Sequence, residues 1–301
     1  MNAPFQHLAP IRLRFHADLQ YDVRAPGCDF IFNVQAARTA HQRVISEKLE
    51  INQPVEQRPF TDAQTGSRFI RLHANEGPLR VYCETELELM HHRAAPADIA
   101  EVPTSDLPAA TLPYLYPSRY CQSDRLLKFA FGEFGQLKPG YARVQAIRDW
   151  VQSHVEFVSG TSDGNTSAID TLVTKQGVCR DFAHLMIALC RAVNIPARFA
   201  TGMDYGAAPE LGPPDFHAYV EAYVGARWYL FDPSGTAIPM GFIRLATGRD
   251  AADCAFSSIF GSVEWKTPLI NIEAIAGEDG IVRLPEYCAD ALSTDAGPAQ
   301  G

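Results

Sequence analysis

"KQGVCRDFAHLMIALCRAVNIPAR", residues 175–198, passes from a polar loop into a helix pattern at Cys179. Phe182, Leu185, Met186, Leu189 and Val193 recur at three- and four-residue steps, and Asn194 with Pro196 ends the run. Counting back three residues from Phe182 places Cys179 at the helix start, on the face of the apolar stripe. Unpaired backbone N–H groups and the positive end of the helix dipole favour an anion there, and the anion is the reactive form of a thiol. Gly177 permits a tight turn and the close approach of a substrate backbone. The N–H of Cys179 is placed to meet an oxyanion.

A thiolate that attacks an amide needs an acid to protonate the leaving group. His217 is the candidate. It opens "HAYVEAYV", in which His217, Tyr219, Glu221 and Tyr223 point to one side and Ala218, Val220, Ala222 and Val224 to the other. If Gly225 and Ala226 form a two-residue hairpin turn, Val224 pairs with Arg227 and Tyr223 with Trp228. Counting back then sets Tyr219 opposite Asp232, with His217 the diagonal neighbour of Asp232 on one face. A four-residue loop keeps this parity, whereas a three-residue loop sends Asp232 to the other face. In the paired register Asp232 accepts a hydrogen bond from one ring nitrogen of His217 and leaves the other for the thiol. Pro233 ends the strand and stiffens the carboxylate's position.

A lone free cysteine is ordinarily an inert core residue, and Cys190, three turns further along the helix face, reads that way. In the company of His217 and Asp232, Cys179 reads as a nucleophile. His184 lies about 140° round the helix from Cys179, which gives it a surface or supporting place rather than one in the same pocket. Asp181 reads as a first-turn carboxylate complementing the helix dipole, with Arg180 its solvent-facing neighbour. A side-chain donor for an oxyanion would come from the preceding segment, with Gln122 the candidate and Tyr120 the other possibility. Asp250 and Asp253, in "TGRDAADCAF", read as a capped helix start. Helical geometry argues against a metal site of Cys179, His184, His217 and Asp232, and this chemistry requires no cofactor.

Outward from this core the period changes. "IRLRFHADLQYDV" (11–23) and "VYCETELEL" (81–89) alternate apolar and polar residues, as half-buried antiparallel strands do. "DFIFNVQ", "RVISEKLEI" and "SRFIRLHA" add strands between Pro, Gly, Asn and Asp punctuation. Residues 1–95 therefore form an N-terminal antiparallel β-sandwich domain. The Pro- and Ala-rich residues 96–118 form a linker, and residues 119–290 a domain of helices packed on an antiparallel sheet. In that domain Ser123 caps a first helix, and Val144, Ile147 and Val151 line one face of a second. Residues 291–301 form a loose tail.

The 301 residues are 47% hydrophobic and carry a formal net charge of -9, which offers no electrostatic reason to bind nucleic acid or an anionic membrane surface. No apolar h-region follows the N-terminus and no window is long enough to span a bilayer, so the expected location is cytoplasmic. Seven scattered cysteines do not make a secreted disulfide framework.

"GVCRDFAHLMIALCRAVNIPAR", then "HAYVEAYV", then "WYLFDPSG" resemble the core of the transglutaminase-like superfamily, a likeness that runs from Tyr120 to Phe260. The β-rich first domain resembles the N-terminal region of bacterial members. The resemblance implies a papain-like α+β core in which Cys179, His217 and Asp232 are the catalytic triad. It also implies attack of a thiolate on an amide carbonyl to form a thioester acyl-enzyme. The chain is shorter than the animal cross-linking enzymes and has no acidic loop with calcium-site spacing, nor the paired cysteines of a zinc-bearing deglycosylase. The expectation is a cysteine-dependent amide hydrolase, a peptidase or isopeptidase with a protein or peptide substrate. The alternatives are a protein-glutamine acyltransferase and a non-catalytic peptide-binding module on the same fold.

Overall fold

The computed structural model of the chain describes residues 9–206 and 214–297. Among these residues the first strands are β1 (Ile11–Val23), β2 (Cys28–Phe32), β3 (Gln42–Ile51), β4 (Arg58–Thr61), β5 (Arg68–Ala74), β6 (Gly77–Leu89) and β7 (His92–Ala94). Helices follow, with two short strands between them: α1 (Ser123–Phe134), α2 (Tyr141–His154), β8 (Glu156–Phe157), α3 (Ala168–Thr174), β9 (Gln176–Gly177) and α4 (Cys179–Ala192). The chain then returns to strands: β10 (Ala197–Asp204), β11 (His217–Val224), β12 (Arg227–Phe231), β13 (Phe242–Gly248), β14 (Ser257–Phe260), β15 (Val263–Trp265), β16 (Leu269–Ala274) and β17 (Ala291–Ser293). None of the described helices is long and apolar enough to cross a membrane.

In β1 every second residue from Ile11 to Val23 is buried, and β6 repeats the pattern, so the two pair antiparallel along their whole length with one face packed. One sheet runs β15-β1-β6-β3 with β16 also on β1, and a second runs β14-β2-β5-β4. Leu13, Phe15 and Leu87 from the first meet Phe30, Phe32 and Leu72 from the second, which makes the expected sandwich.

The sandwich is not confined to residues 1–95. Strands β14, β15 and β16, within the stretch assigned to the second domain, pair with β2 and β1 of the first. Ile270 and Ile272 turn their apolar side into the sandwich core, and β1 is covered on the edge that β6 leaves open. Residues 96–118 are also more than a spacer. Ile99 is buried against the helices, and Glu101 receives the guanidinium of Arg143. The expected helix at Asp250 is a turn, in which the carboxylate of Asp250 accepts the amides of Tyr120 and Ala252. At α1 the residue preceding the helix is Gln122, with Ser123 the first helical residue.

Strands β12-β11-β10-β13 form the antiparallel sheet of the α+β half. α4 lies across one face, where Phe182, Leu185 and Met186 meet Ala218, Val220 and Ala222. The other face, through Ala200, Tyr219 and Phe242, packs on the sandwich. With both faces covered, β10, β11 and β13 are buried at every position. α4 is buried all round from Asp181 to Ala192, because α1, α2 and α3 cover the side turned away from the sheet.

Polar side chains on such a sheet must find partners. Arg198 and Arg244 meet Glu221, and both also meet Asp295, while Arg244 reaches the carbonyl of Thr65 in the sandwich at 2.8 Å. The two guanidiniums hold the Asp295 carboxyl well below the usual carboxylate range against the opposing effect of burial. Within the tail expected to be loose, residues 291–295 are therefore tied down, since β17 pairs with β7 and Ser293 and Thr294 are buried, while 298–301 lie outside the described residues. Asp295→Ala leaves two buried guanidiniums with one carboxylate. It is expected to lower the unfolding free energy by about 3–5 kcal/mol, read from the urea midpoint at constant slope.

Candidate active site

β10 and β12 end, and β11 begins, at one edge of the inner sheet, and that edge carries the ionisable groups. The β11–β12 hairpin pairs Val224 with Arg227 and Tyr223 with Trp228 across Gly225 and Ala226. These two residues have φ of 56° and 59°, the pair of positive values that a type I′ turn demands. Pairing continues to Val220 with Phe231, so the next position sets Tyr219 against Asp232 and leaves His217 diagonal to it. Nε2 of His217 lies 3.6 Å from Oδ1 of Asp232. That exceeds a formed hydrogen bond, as happens in active sites before substrate draws them together.

Asp232 is held from behind. Oδ1 accepts the amide and hydroxyl of Ser234 at 3.0 and 2.6 Å, and Oδ2 accepts the amide of Ala237 at 3.0 Å. Burial opposes its charge, but His217, Ser234 and the Ala237 amide outweigh burial and hold the carboxyl below its ordinary value. For His217 burial again opposes the charge. The attraction of Asp232 and then of Cys179 overcomes it and raises the imidazole well above its ordinary value. Phe242 lies against the ring, with centroids 5.2 Å apart.

Cys179 is the first residue of α4 and half-buried, whereas Cys190 in the same helix is fully buried with its thiol pushed up to about 12 by burial. Asp181 is part of the helix start: its Oδ2 accepts the Val178 amide at 2.9 Å and its Oδ1 the hydroxyl of Ser162. The first intrahelical donors are the amides of Asp181 and Phe182, both to the Val178 carbonyl. The Cys179 amide therefore stands ahead of the hydrogen-bonded turns.

Other candidates fall elsewhere. A Cβ on Gly177 would meet Asp181 Cβ at 2.7 Å, so the small residue serves the packing of Asp181 rather than a substrate backbone. Gln122 turns its Nε2 to the Arg119 carbonyl at 3.3 Å, and its Oε1 is buried without a partner among the described residues. The Tyr120 hydroxyl donates to the Gly164 carbonyl at 2.8 Å. His184 is fully buried, not at the surface. It is stacked on Tyr120, accepts the Ala251 amide on Nε2, and is kept neutral by burial, which lowers its pKa well below the ordinary value. Arg180 reaches Ser162 at 2.6 Å. No cluster of three or more His, Cys, Asp or Glu side chains suited to a metal occurs among the described residues.

One residue of this edge escaped the sequence reading. Asp204, the last of β10, brings Oδ1 to 3.9 Å from Nδ1 of His217. The strand "ARFATGMD" was legible, but residues 205–216 separate it from β11, and a long connection does not set a register as a two-residue turn does. The observed pairing puts Gly202 opposite His217 and so brings Asp204 to the site.

A charged His217 stabilises the fold fully below the ordinary histidine value of about 6.5, and this contribution is lost as pH rises through the raised folded value. Imidazole NMR at pH 7.5 is expected to show His217 charged. In Asp232→Asn, where burial acts against one fewer partner, the ring is expected to be neutral at the same pH.

Residues 129–233 match the family model of the transglutaminase-like superfamily, and residues 11–83 that of the bacterial transglutaminase N-terminal domain. The crystal structure of "a Putative Cysteine Protease from Cytophaga hutchinsonii" is similar to the chain with a TM-score of 0.87 and 38% identity, over 95% of this chain and 98% of that one. A Mycobacterium leprae protein without assigned function is 32% identical over 123 residues, 39% of this chain and 43% of that protein. One from Haemophilus influenzae is 30% identical over 103 residues, 33% of this chain and 28% of that protein. The chain thus spans less than half the length of these curated relatives.

Proposed function

The chain belongs to the transglutaminase-like superfamily, and we propose on that premise that it is a cysteine-dependent amide hydrolase, a peptidase or isopeptidase, with Cys179, His217 and Asp232 as its triad. The observation that carries the reading is the placement of His217, with Asp232 3.6 Å from one ring nitrogen, beside the half-buried Cys179 at the start of α4, and both partners act to raise the imidazole above its ordinary value against burial. A half-buried thiol at a helix start beside a histidine held by a carboxylate is the set of groups that thiol acyl transfer uses.

In this reading Sγ of Cys179 attacks the amide carbon, and the oxyanion that forms meets the Cys179 amide. As the C–N bond breaks, the proton on Nδ1 of His217 passes to the leaving nitrogen, and a thioester remains. Water then adds to the thioester carbon and gives a proton to His217. The C–S bond breaks, and the acid product leaves a thiolate beside an imidazolium. Asp232 remains a carboxylate that fixes the ring, and Nε2 of His217 keeps its proton throughout.

Incubation with an activated ester such as p-nitrophenyl acetate is expected to add one acetyl group to Cys179, seen by peptide mass. Cys179→Ala should take up none there, and His217→Ala should slow acylation about 10,000-fold. A peptide pool should show hydrolysis that added amine does not divert. Acylation elsewhere in the chain, or at equal rates with and without His217, would sink the reading.

A further inference from the structure

Asp204 and Asp232 flank one imidazole, yet they are satisfied very differently. Asp232 receives three hydrogen bonds from its own loop. The side chain of Asp204 is 7% exposed, and its Oδ2 has no partner among the described residues. A buried carboxyl oxygen without a partner is costly, and one that persists calls for a partner from outside the described residues.

The charges acting most on Asp204 are His217, Asp232 and Asp215, of which only His217 is cationic. Burial raises the Asp204 carboxyl above its ordinary value and the negative charge of Asp232 adds to this, against the pull of His217. Position sharpens the reading. Nε2 of His217 faces Asp232 at 3.6 Å, which leaves Nδ1 to serve the thiol and the leaving amine in this reading, and Asp204 lies 3.9 Å from Nδ1. A cation placed against Asp204 would stand beside the scissile amide.

From the unpartnered oxygen and its place beside Nδ1 we infer that Asp204 is a specificity-determining residue, which receives a primary ammonium group carried by the substrate next to the scissile bond. This rests on the reading of Cys179 and His217 as the reacting pair. The substrate class is then narrower: amides with a free α-ammonium or a lysine-like ammonium adjacent to the reacting carbonyl.

The test uses three thiol reagents that differ in charge, 2-aminoethyl, methyl and 2-sulfonatoethyl methanethiosulfonate. Their rates at Cys179 are followed by peptide mass in the full chain and divided by the rates with 2-mercaptoethanol. The expected preference for the cationic over the anionic reagent is about tenfold or more. It should fall to within about twofold in Asp204→Asn and persist in Asp204→Glu, with folding of both variants checked by circular dichroism. A preference unchanged in Asp204→Asn, or equal losses toward all three reagents, means that Asp204 only supports the imidazole, and overturns the inference. Should Cys179 react like a free thiol in the unaltered chain and in His217→Ala alike, the reacting pair itself is wrong, and the inference falls with it.

Discussion

A charged imidazole in a dry setting survives only while its carboxylate partner stays in place, and in this protein that placement is a matter of strand register. Gly225 and Ala226 turn β11 into β12 with both residues at positive φ, which aligns Val224 with Arg227. From there the ladder delivers His217 and Asp232 to one edge. A slip of one residue would move Asp232 to the opposite face, and the burial that its charge now helps to offset would drive His217 neutral. The loop from Ser234 to Ala237 completes the constraint, since its amides and hydroxyl hold both oxygens of the carboxylate.

The register could not be held by a sheet free to flex. Both faces of the inner sheet are covered, by α4 on one side and by the sandwich on the other, so β10, β11 and β13 have no solvent face. Arg198, Glu221, Arg244 and Asp295 form a buried ionic set that reaches from the inner sheet to Thr65 of the sandwich and to the end of the chain. The sandwich is thus the second wall of the α+β half, and β14, β15 and β16 lock the two together by returning to β2 and β1.

What could be read without coordinates followed from local rules. The apolar stripe of α4, the alternation in β1, β6 and β11, and the tight turn at Gly225 depend on neighbours in sequence, and each is observed. What could not be read depended on partners remote in the chain. "LINIEA" has strand alternation, but nothing in it says that β1 is its partner. α3 carries a helix-start signature, with the Ser167 amide donating to Asp170, although its seven residues are too few for an apolar stripe. Asp295 reads as a tail residue until two arginines nearly a hundred and some fifty positions earlier are folded against it. Gly177 suggests an opening for substrate in sequence, but in space its missing side chain is filled by Asp181.

The two carboxyls beside His217 show how much of an ionisable group's character lies outside its own chemistry. Both are aspartates at the end of an inner strand, both are buried, and both lie within 4 Å of one imidazole. Donors from a single tight loop hold the Asp232 carboxyl below its ordinary value, while that of Asp204, with one oxygen unpartnered among the described residues, is shifted the other way. The unequal pair gives the imidazole a direction. The nitrogen facing the well-solvated carboxylate is anchored, and the nitrogen facing the bare one remains responsive to whatever enters the site. An anion arriving there would meet a carboxyl with no solvation to share, and a cation would supply what the fold withholds. In this reading the charge of the incoming group is therefore what this edge of the sheet discriminates.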